Sequence, residues 1–292
     1  MEFYIICNPI AGRGASLAAL EAAQRRLTQE GRSYTVAMSE YPGHATCLAR
    51  EAAASGHGCI VAMGGDGTAR EVAMALLHTE AIMALIPCGT GNDFARALRV
   101  PSKVEDALSI LLHGRDTRVD TGLANGSCFI NVAGFGFDTD VLDAAEMYKK
   151  KGAGAGLAYW RGILHCLRHM KLRKTQIIAD GQALDRNVMI LAAGNGTHFG
   201  GGMHITPGAD PGDGLLDICI VHDIGKLAVL WMLPRLQAGT HLASRYVTYL
   251  KAREVTAVCE PPSRAQTDGE VIEHTPVTFK VAPGSLVVRI KE

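Results

Sequence analysis

No stretch of the 292-residue sequence approaches the roughly 20 uninterrupted apolar residues of a membrane-spanning helix, although hydrophobic residues make up 48% of it. A chain that crosses a bilayer by helices is therefore not expected. The sequence also opens without a basic leader, apolar core and small-residue cleavage site, so a secretory signal is absent and a cytoplasmic location is the expectation. Cysteine pairs are missing too. Cys7, Cys47, Cys59, Cys88, Cys128, Cys166, Cys219 and Cys259 stand singly, with no C-x-x-C and no zinc-site spacing. They are read as reduced core residues, because a free thiol packs as a small apolar group. Net charge is zero, 29 Lys and Arg against 29 Asp and Glu, which excludes a generally basic nucleic-acid binder.

What is present begins with an uneven distribution of that charge. Lys149, Lys150, Lys151, Arg161, Arg168, Lys171, Arg173 and Lys174 fall between residues 147 and 179 with no Asp or Glu among them, which leaves the rest of the chain acidic. One cationic patch on a neutral protein suggests an anionic surface as partner. The first 120 residues alternate β-branched runs (Phe3 to Cys7, Tyr34 to Met38, Cys59 to Met63, Met83 to Pro87) with amphipathic helical stretches, the pattern of βαβ units and a mostly parallel sheet. Residues 121–292 read as a second domain, antiparallel and β-rich with inserted helices. Its strands are expected at Ser127 to Ala133, Val188 to Ala193, Leu215 to Val221, Arg253 to Cys259, Val277 to Val281 and Leu286 to Ile290. The glycine-rich run 152–156 reads as a hinge or loop.

Three loops carry the chemistry. The third strand runs into Gly64-Gly65-Asp66-Gly67-Thr68 and then a helix, so glycine backbone and a helix start are offered together, as phosphate binding requires. Thr68 and Glu71 fit a capping box that would fix where this helix begins. Asp66 can reach a phosphate-bound Mg²⁺ or a hydroxyl. The next strand ends in Gly89-Thr90-Gly91-Asn92-Asp93, and the first in Asn8-Pro9-Ile10-Ala11-Gly12-Arg13-Gly14, where Arg13 could meet a phosphate. Neighbouring strands that all end this way imply one shared nucleotide cleft. There is no Walker A sequence, no protein-kinase signature and no complete dinucleotide fingerprint, Leu17 standing where the third glycine would be.

These loops together resemble the diacylglycerol kinase catalytic family, which includes bacterial diacylglycerol and YegS-type lipid kinases and the sphingosine kinases. The likeness continues through Gly134-Phe135-Gly136-Phe137-Asp138, Asn195, Gly200-Gly201-Gly202-Met203, Ile205-Thr206-Pro207, Asp213-Gly214-Leu215-Leu216-Asp217 and Asp268-Gly269-Glu270, so it spans residues 4–290. It implies an N-terminal α/β nucleotide domain, a C-terminal β-sandwich, and ATP with Mg²⁺ as cofactors. It places the nucleotide on Gly64, Gly65, Asp66, Gly67 and Thr68, with Asn8, Gly12, Arg13, Gly14, Glu71, Thr90, Asn92 and Asp93 around them. Ser39 stands where the family usually has Thr, and Arg70 where it commonly has Asn. Asp210 and Asp213, three apart in a tight turn, read either as a solvated acidic turn or as a hard-cation loop. The resemblance favours a structural Mg²⁺ on Asp210, Asp213 and the Leu215 carbonyl. It also sets Asp268 and Glu270 at the reacting hydroxyl, with Asp268 taken as general base and Glu270 as its alternative or its orienting partner.

The expected reaction is therefore transfer of the ATP γ-phosphoryl group to a lipid hydroxyl. A kinase of a soluble metabolite, of the NAD kinase kind, would keep GGDGT but not predict GTGND or the DG-x-LD loop. A non-catalytic nucleotide- or lipid-binding regulator could lose Asp66, Asp93, Asp268 or Glu270, and all are intact. The basic segment 149–174, with Leu157, Tyr159, Trp160, Ile163, Leu164 and Leu167, suits an interfacial helix at the membrane that holds the substrate. Its rival is a helix whose apolar stripe packs on the β domain. His165 and His169, four apart on one helix face, are read as surface residues rather than a metal pair. Homodimerisation is left open.

Overall fold

The computed structural model describes residues 2–152 and 154–292; Ala153, in the glycine-rich run read as a hinge, lies outside the described residues. The N-terminal half runs β1 (Phe3–Cys7), α1 (Ala15–Gln29), β2 (Tyr34–Met38), α2 (His44–Ala54), β3 (Cys59–Gly64), α3 (Asp66–Leu76), β4 (Ile82–Pro87), α4 (Asp93–Ala97) and α5 (Val104–His113). The four strands are parallel in the order β4-β3-β1-β2. β3 and β4 are buried along their whole length, as parallel strands covered on both faces must be. α1 covers one face with Ala19, Leu20, Ala23 and Leu27. α2 and α3 cover the other with Ala45, Ala49, Val72 and Leu76.

The chain continues through β5 (Arg115–Ala124), β6 (Ser127–Phe129), β7 (Val132–Gly136), α6 (Phe137–Lys150), α7 (Ala155–Arg168), β8 (Arg173–Ala179), β9 (Gln182–Gly194), β10 (Leu216–His222) and α8 (Lys226–Ala238). It ends with β11 (Val247–Ala252), β12 (Glu254–Glu260), β13 (Arg264–Thr267), β14 (Glu270–His274) and β15 (Val277–Ile290). Pairing here is antiparallel, around a core that holds Phe129, Phe135, Ile177, Leu191, Ile218 and Phe279. The two expected strands at 277–281 and 286–290 are one strand with a register shift between Ala282 and Leu286. The strand expected over 127–133 is broken at Ile130-Asn131, and that break has a use described below.

β15 joins the halves. Phe279 to Ile290 pairs antiparallel with β5, and Val287 and Val288 pair parallel with Ile82 and Met83 of β4. One sheet path therefore runs from β14 to β2. The boundary expected after residue 120 falls inside β5, which pairs with β15 on both sides of it, the register shift between Ala282 and Leu286 lying opposite Asp120.

Of the eight cysteines, all free, six are buried, while Cys47 is exposed and Cys128 half-buried. The exposed pair His165 and His169 sits at the end of α7, its rings 4.7 Å apart.

Candidate active site

β1, β3 and β4 run side by side, so their three loops emerge at one edge. Asn8 N–H donates to Met63 O at 3.0 Å, and Asn8 Nδ2 donates to Thr68 Oγ1 at 3.2 Å, which ties the first loop to the second. Gly12 has φ +59°, and a Cβ there would stand 2.1 Å from Cys88 O, so this loop lies against the end of β4 with no room for a side chain. Gly65 and Gly89 meet backbone to backbone: a Cβ on Gly89 would fall 2.5 Å from Gly65 Cα. Asn92 closes its loop by accepting from Gly89 N–H and donating to Gly89 O, both at 2.9 Å. Arg13 and Thr90 are exposed at the rim, and Ser39 follows β2 with its N–H on Cys7 O. The structure thus brings the three expected loops together at one sheet edge, with Asp66 and Asp93 lining a pocket there, and one expected residue turns away.

That residue is Glu71. α3 begins at Asp66 with Gly65 as N-cap, so Thr68 is already inside the helix and the expected capping box does not form. Glu71 reaches instead to the start of α2, accepting Gly43 N–H at 2.9 Å and Ala45 N–H at 3.0 Å. A carboxylate at a helix N-terminus is favoured by the dipole, and both its oxygens are engaged there rather than in the cleft.

Beyond the loops, Asp66, Asp93, Asp138 and Asp268 line one pocket. Asp66 Oδ1 accepts Phe94 N–H at 3.2 Å, and Asp93 Oδ2 accepts Gly201 N–H from the opposite half at 2.8 Å. Asp93 Oδ1 is buried with no hydrogen-bond partner. Burial raises the Asp93 pKa, the Gly201 N–H pulls it back, and the neighbouring Asp66 raises it further. Asp138 Oδ2 accepts Gln266 Nε2 at 3.2 Å, while its buried Oδ1 has no partner. Burial pushes this carboxyl up to about 6. Asp138, Tyr159 and Phe199 also wall an apolar cavity formed by residues such as Ile163, Met189, Val221 and Met232. The acidic pocket therefore has an apolar continuation.

Asp268 sits at the tip of the β13–β14 hairpin with φ +49°. Its Oδ2 accepts Ile130 N–H at 2.8 Å, and its Oδ1 accepts Asn131 and Val132 N–H at 3.0 and 3.1 Å. Those donors are the break between β6 and β7, so Asp268 takes the place of the missing ladder. Burial carries its pKa up to about 6, against the three N–H donors and Arg70. Glu270 is different: its side chain is 66% exposed and its Oε2 lies 2.6 Å from Arg70 Nη1. Arg70 Nε is 3.8 Å from Asp268 Oδ2. Arg70, one turn beyond Asp66 on α3, thus anchors the acidic hairpin to α3.

The Asp210–Asp213 loop is closed from within the chain. Asp210 Oδ1 accepts Gly212 N–H, and Asp213 Oδ1 accepts Leu215 N–H, both at 3.0 Å. Asp213 Oδ2 is 2.6 Å from Lys251 Nζ, which also lies 3.3 Å from Oδ2 of the fully buried Asp217. Asp120 holds the loop from below by accepting Gly214 and Gly284 N–H, both at 2.7 Å. Among the described residues no group of three or more His, Cys, Asp or Glu is arranged to hold a metal. An ammonium stands where the expected structural Mg²⁺ would need oxygen ligands, so this donor set does not fit a divalent ion as it is arranged.

Known proteins agree with this architecture. Residues 2–124 match the family model for the diacylglycerol kinase catalytic domain, and residues 131–290 match that for the YegS C-terminal NAD kinase beta sandwich-like domain. A "probable lipid kinase YegS-like" of Pseudomonas aeruginosa is 33% identical over 96% of this chain and 92% of its own. The chain belongs to the family of YegS-like lipid kinases and diacylglycerol kinases. A Bacillus subtilis diacylglycerol kinase is 29% identical over 91% of this chain and 88% of its own. A crystal structure of a candidate diacylglycerol kinase from Bacillus anthracis superposes with a TM-score of 0.77 at 28% identity, covering 99% of this chain and 96% of that one.

Against this family background, sequence reasoning missed four residues. Asp138 closes a motif that carries the resemblance, but its place in the pocket depends on α6 turning there. Arg70 stood out as a departure, yet its partners lie about 200 positions away. Lys251 and Asp120 gave no signal beyond their charge.

Proposed function

We propose that the protein is an ATP-dependent lipid kinase that transfers the γ-phosphoryl group to a hydroxyl at a lipid's polar end. The observation that carries this is the continuous site, in which glycine loops suited to phosphates open onto four carboxylates and then onto an apolar cavity. A site for a soluble metabolite would have no use for that continuation. ATP would lie along the loops of β1, β3 and β4, with its phosphates on backbone N–H groups and the start of α3.

Mg²⁺ fits beside the phosphates better than at the Asp210 loop. Asp93 Oδ1 is buried without a hydrogen-bond partner and Asp66 stands next to it, a pair of hard oxygen donors that triphosphate oxygens would complete. When bound there, the ion would neutralise charge on the transferring group.

The lipid hydroxyl attacks the γ-phosphorus, the bond to the β–γ bridging oxygen breaks, ADP leaves, and the hydroxyl proton passes to a carboxylate. We assign that proton to Glu270 in preference to Asp268, because the Asp268 oxygens already accept three backbone N–H groups, while Glu270, held through Oε2 by Arg70, remains 66% exposed. Asp138, with its free Oδ1 at the seam between acidic pocket and apolar cavity, is placed to accept a hydrogen bond from the lipid's polar end. The basic segment 149–174 would meet the membrane in which the substrate lies. Among the described residues no helix is long and apolar enough to cross one.

ADP release with diacylglycerol, phosphatidylglycerol, a sphingoid base and NAD as separate acceptors tests the reading. Turnover on at least one lipid and none on NAD is expected. Turnover on NAD alone would establish the soluble-metabolite alternative, and ATP binding without turnover on any acceptor the regulator.

A further inference from the structure

We propose that α7 and α8 together form a docking surface for an anionic bilayer, directly over the apolar cavity of the site. The inference rests on the lipid-kinase reading and deepens it by naming the surface through which the substrate arrives. It goes beyond the basic segment, because α8 lies some 60 positions further along the chain.

The two helices share one construction. α7 buries Ala158, Ile163, Cys166 and Leu167 and turns Leu157, Trp160 and Leu164 outwards, 53%, 58% and 61% exposed. α8 buries Val229 and Met232 and exposes Leu227, Leu230 and Trp231, at 83%, 47% and 62%. A surface helix is ordinarily polar on its outer face; these two are apolar on both. Their inner faces wall the same cavity, α7 with Tyr159 and Ile163, α8 with Val229, Met232 and Leu236. The outer faces therefore point away from that cavity. Lys226 Nζ at the start of α8 donates to Arg168 O at the end of α7, which joins the pair.

Charge selects the occupant. α7 carries Arg161 and Arg168, α8 carries Lys226 and Arg235, and neither helix contains an Asp or Glu. Arg235 stacks its guanidinium over the Trp231 ring at 3.1 Å, so a ring suited to the headgroup level is paired with a cation suited to lipid phosphate. An aqueous protein partner would be expected to match some polar feature of this face. A bilayer matches apolar side chains backed by cations. Not all of the segment 149–174 takes part: Arg173 is turned inwards, paired with Asp140 at 2.8 Å.

The chain has two tryptophans, Trp160 and Trp231, one on each helix, so its tryptophan fluorescence, excited selectively beyond the tyrosine band, reports on this surface alone. Vesicles of phosphatidylcholine with 30 mol% phosphatidylglycerol, about a third anionic as suits a salt-sensitive surface, are titrated into wild type, Trp160→Phe and Trp231→Phe. A blue shift with quenching by brominated acyl chains is expected in all three, and little change with phosphatidylcholine alone. The triple variant Leu227→Ser, Leu230→Ser, Trp231→Ser should lower vesicle co-sedimentation by roughly tenfold or more. Its turnover on a short-chain, water-dispersed diacylglycerol should stay near wild type. A shift in Trp231→Phe but none in Trp160→Phe would remove α8 from the surface. Unchanged co-sedimentation of the triple variant, or a wild-type dimer that it converts to monomer without loss of vesicle binding, would overturn the proposal. Vesicle binding without turnover on any lipid would instead count against the kinase reading and leave the docking surface standing.

Discussion

The glycine loops proposed to hold the nucleotide lead to Asp66 and Asp93, which share a pocket with Asp268 of the acidic hairpin, yet loops and hairpin are held by different means. The loops are backbone packed on backbone: Gly12 against Cys88 O and Gly65 against Gly89, with spaces that no side chain fits. The hairpin is held by side chains, Asp268 on three N–H groups of another strand and Glu270 on Arg70. A backbone-built site is right or wrong in shape, whereas a side-chain-built site can keep its shape and lose its chemistry. Conservative substitution should therefore separate the two halves.

The largest effect is expected at the hairpin. Glu270→Gln keeps size and polarity but removes the proton acceptor, and should lower kcat by something like 10²–10⁴-fold with the KM for ATP nearly unchanged. Asp268→Asn replaces an acceptor oxygen with an NH₂ facing backbone N–H donors, so it should lower both melting temperature and kcat. Loss of kcat in Asp268→Asn at unchanged melting temperature, with Glu270→Gln keeping more than half of wild-type turnover, would return the base to Asp268.

On the other side of the comparison, Gly89→Ala should act through shape alone. Its Cβ would meet Gly65 Cα at 2.5 Å and Asn92 Oδ1 at 2.8 Å, so the two phosphate loops must part. Displacement of about 1 Å at a reacting centre costs on the order of 10²-fold. A rise in the KM for ATP with a fall in kcat/KM of that order is expected. Kinetics within twofold of wild type would mean that the close approach is not needed.

The same contrast explains what could be read before the fold was known. β3 and β4 are unbroken apolar runs that lead into glycine loops, so local sequence carries strand and loop together. β8, Arg173–Ala179, alternates buried and exposed residues, but its Arg173 and Lys174 continue the cationic run and read as the tail of an interfacial helix. α8 has apolar residues on both its buried and exposed sides, with Lys226, Arg235 and Gln237 between them, and gave no periodic signal. Asp268 was legible as a candidate residue, but its three donors lie 136 to 138 positions away, so its saturated oxygens were not. The Asp210–Asp213 loop was legible as an acidic turn, but not its pairing with Lys251, which comes from β11. Short-range pattern marked the candidate residues; long-range pairing decided which of their oxygens are free.

A smaller effect, on stability, tests that last point. Lys251→Met should leave Asp217, 0% exposed, without its ammonium and destabilise by about 2 kcal/mol. This is below the roughly 3–5 kcal/mol of a fully buried pair, because the Lys251 side chain is 38% exposed. Without nucleotide, the wild-type melting temperature should be the same in Mg²⁺ and in chelator. A chelator-induced drop that disappears in Asp213→Ala would restore a structural metal to this loop.

The smallest effect concerns Asp138 and appears only as a dependence on pH. Its folded pKa is raised to about 6 by burial, above the ordinary carboxylate value near 3.9. A group raised in the folded state is accommodated best while protonated: that contribution is complete below the unfolded pKa and is lost as pH climbs through the folded one. Wild type should therefore lose stability relative to Asp138→Asn between about pH 4 and 6, and the difference should level off above that. A rise of that size would correspond to roughly 2.7 kcal/mol in a dry site; the pocket is partly open, so on the order of 1–2 kcal/mol is expected. Urea midpoints measured for both proteins from pH 4 to 8 give the comparison directly. Parallel curves would show that Asp138 titrates as an ordinary surface carboxylate, and its free oxygen would then have no claim on the lipid's polar end.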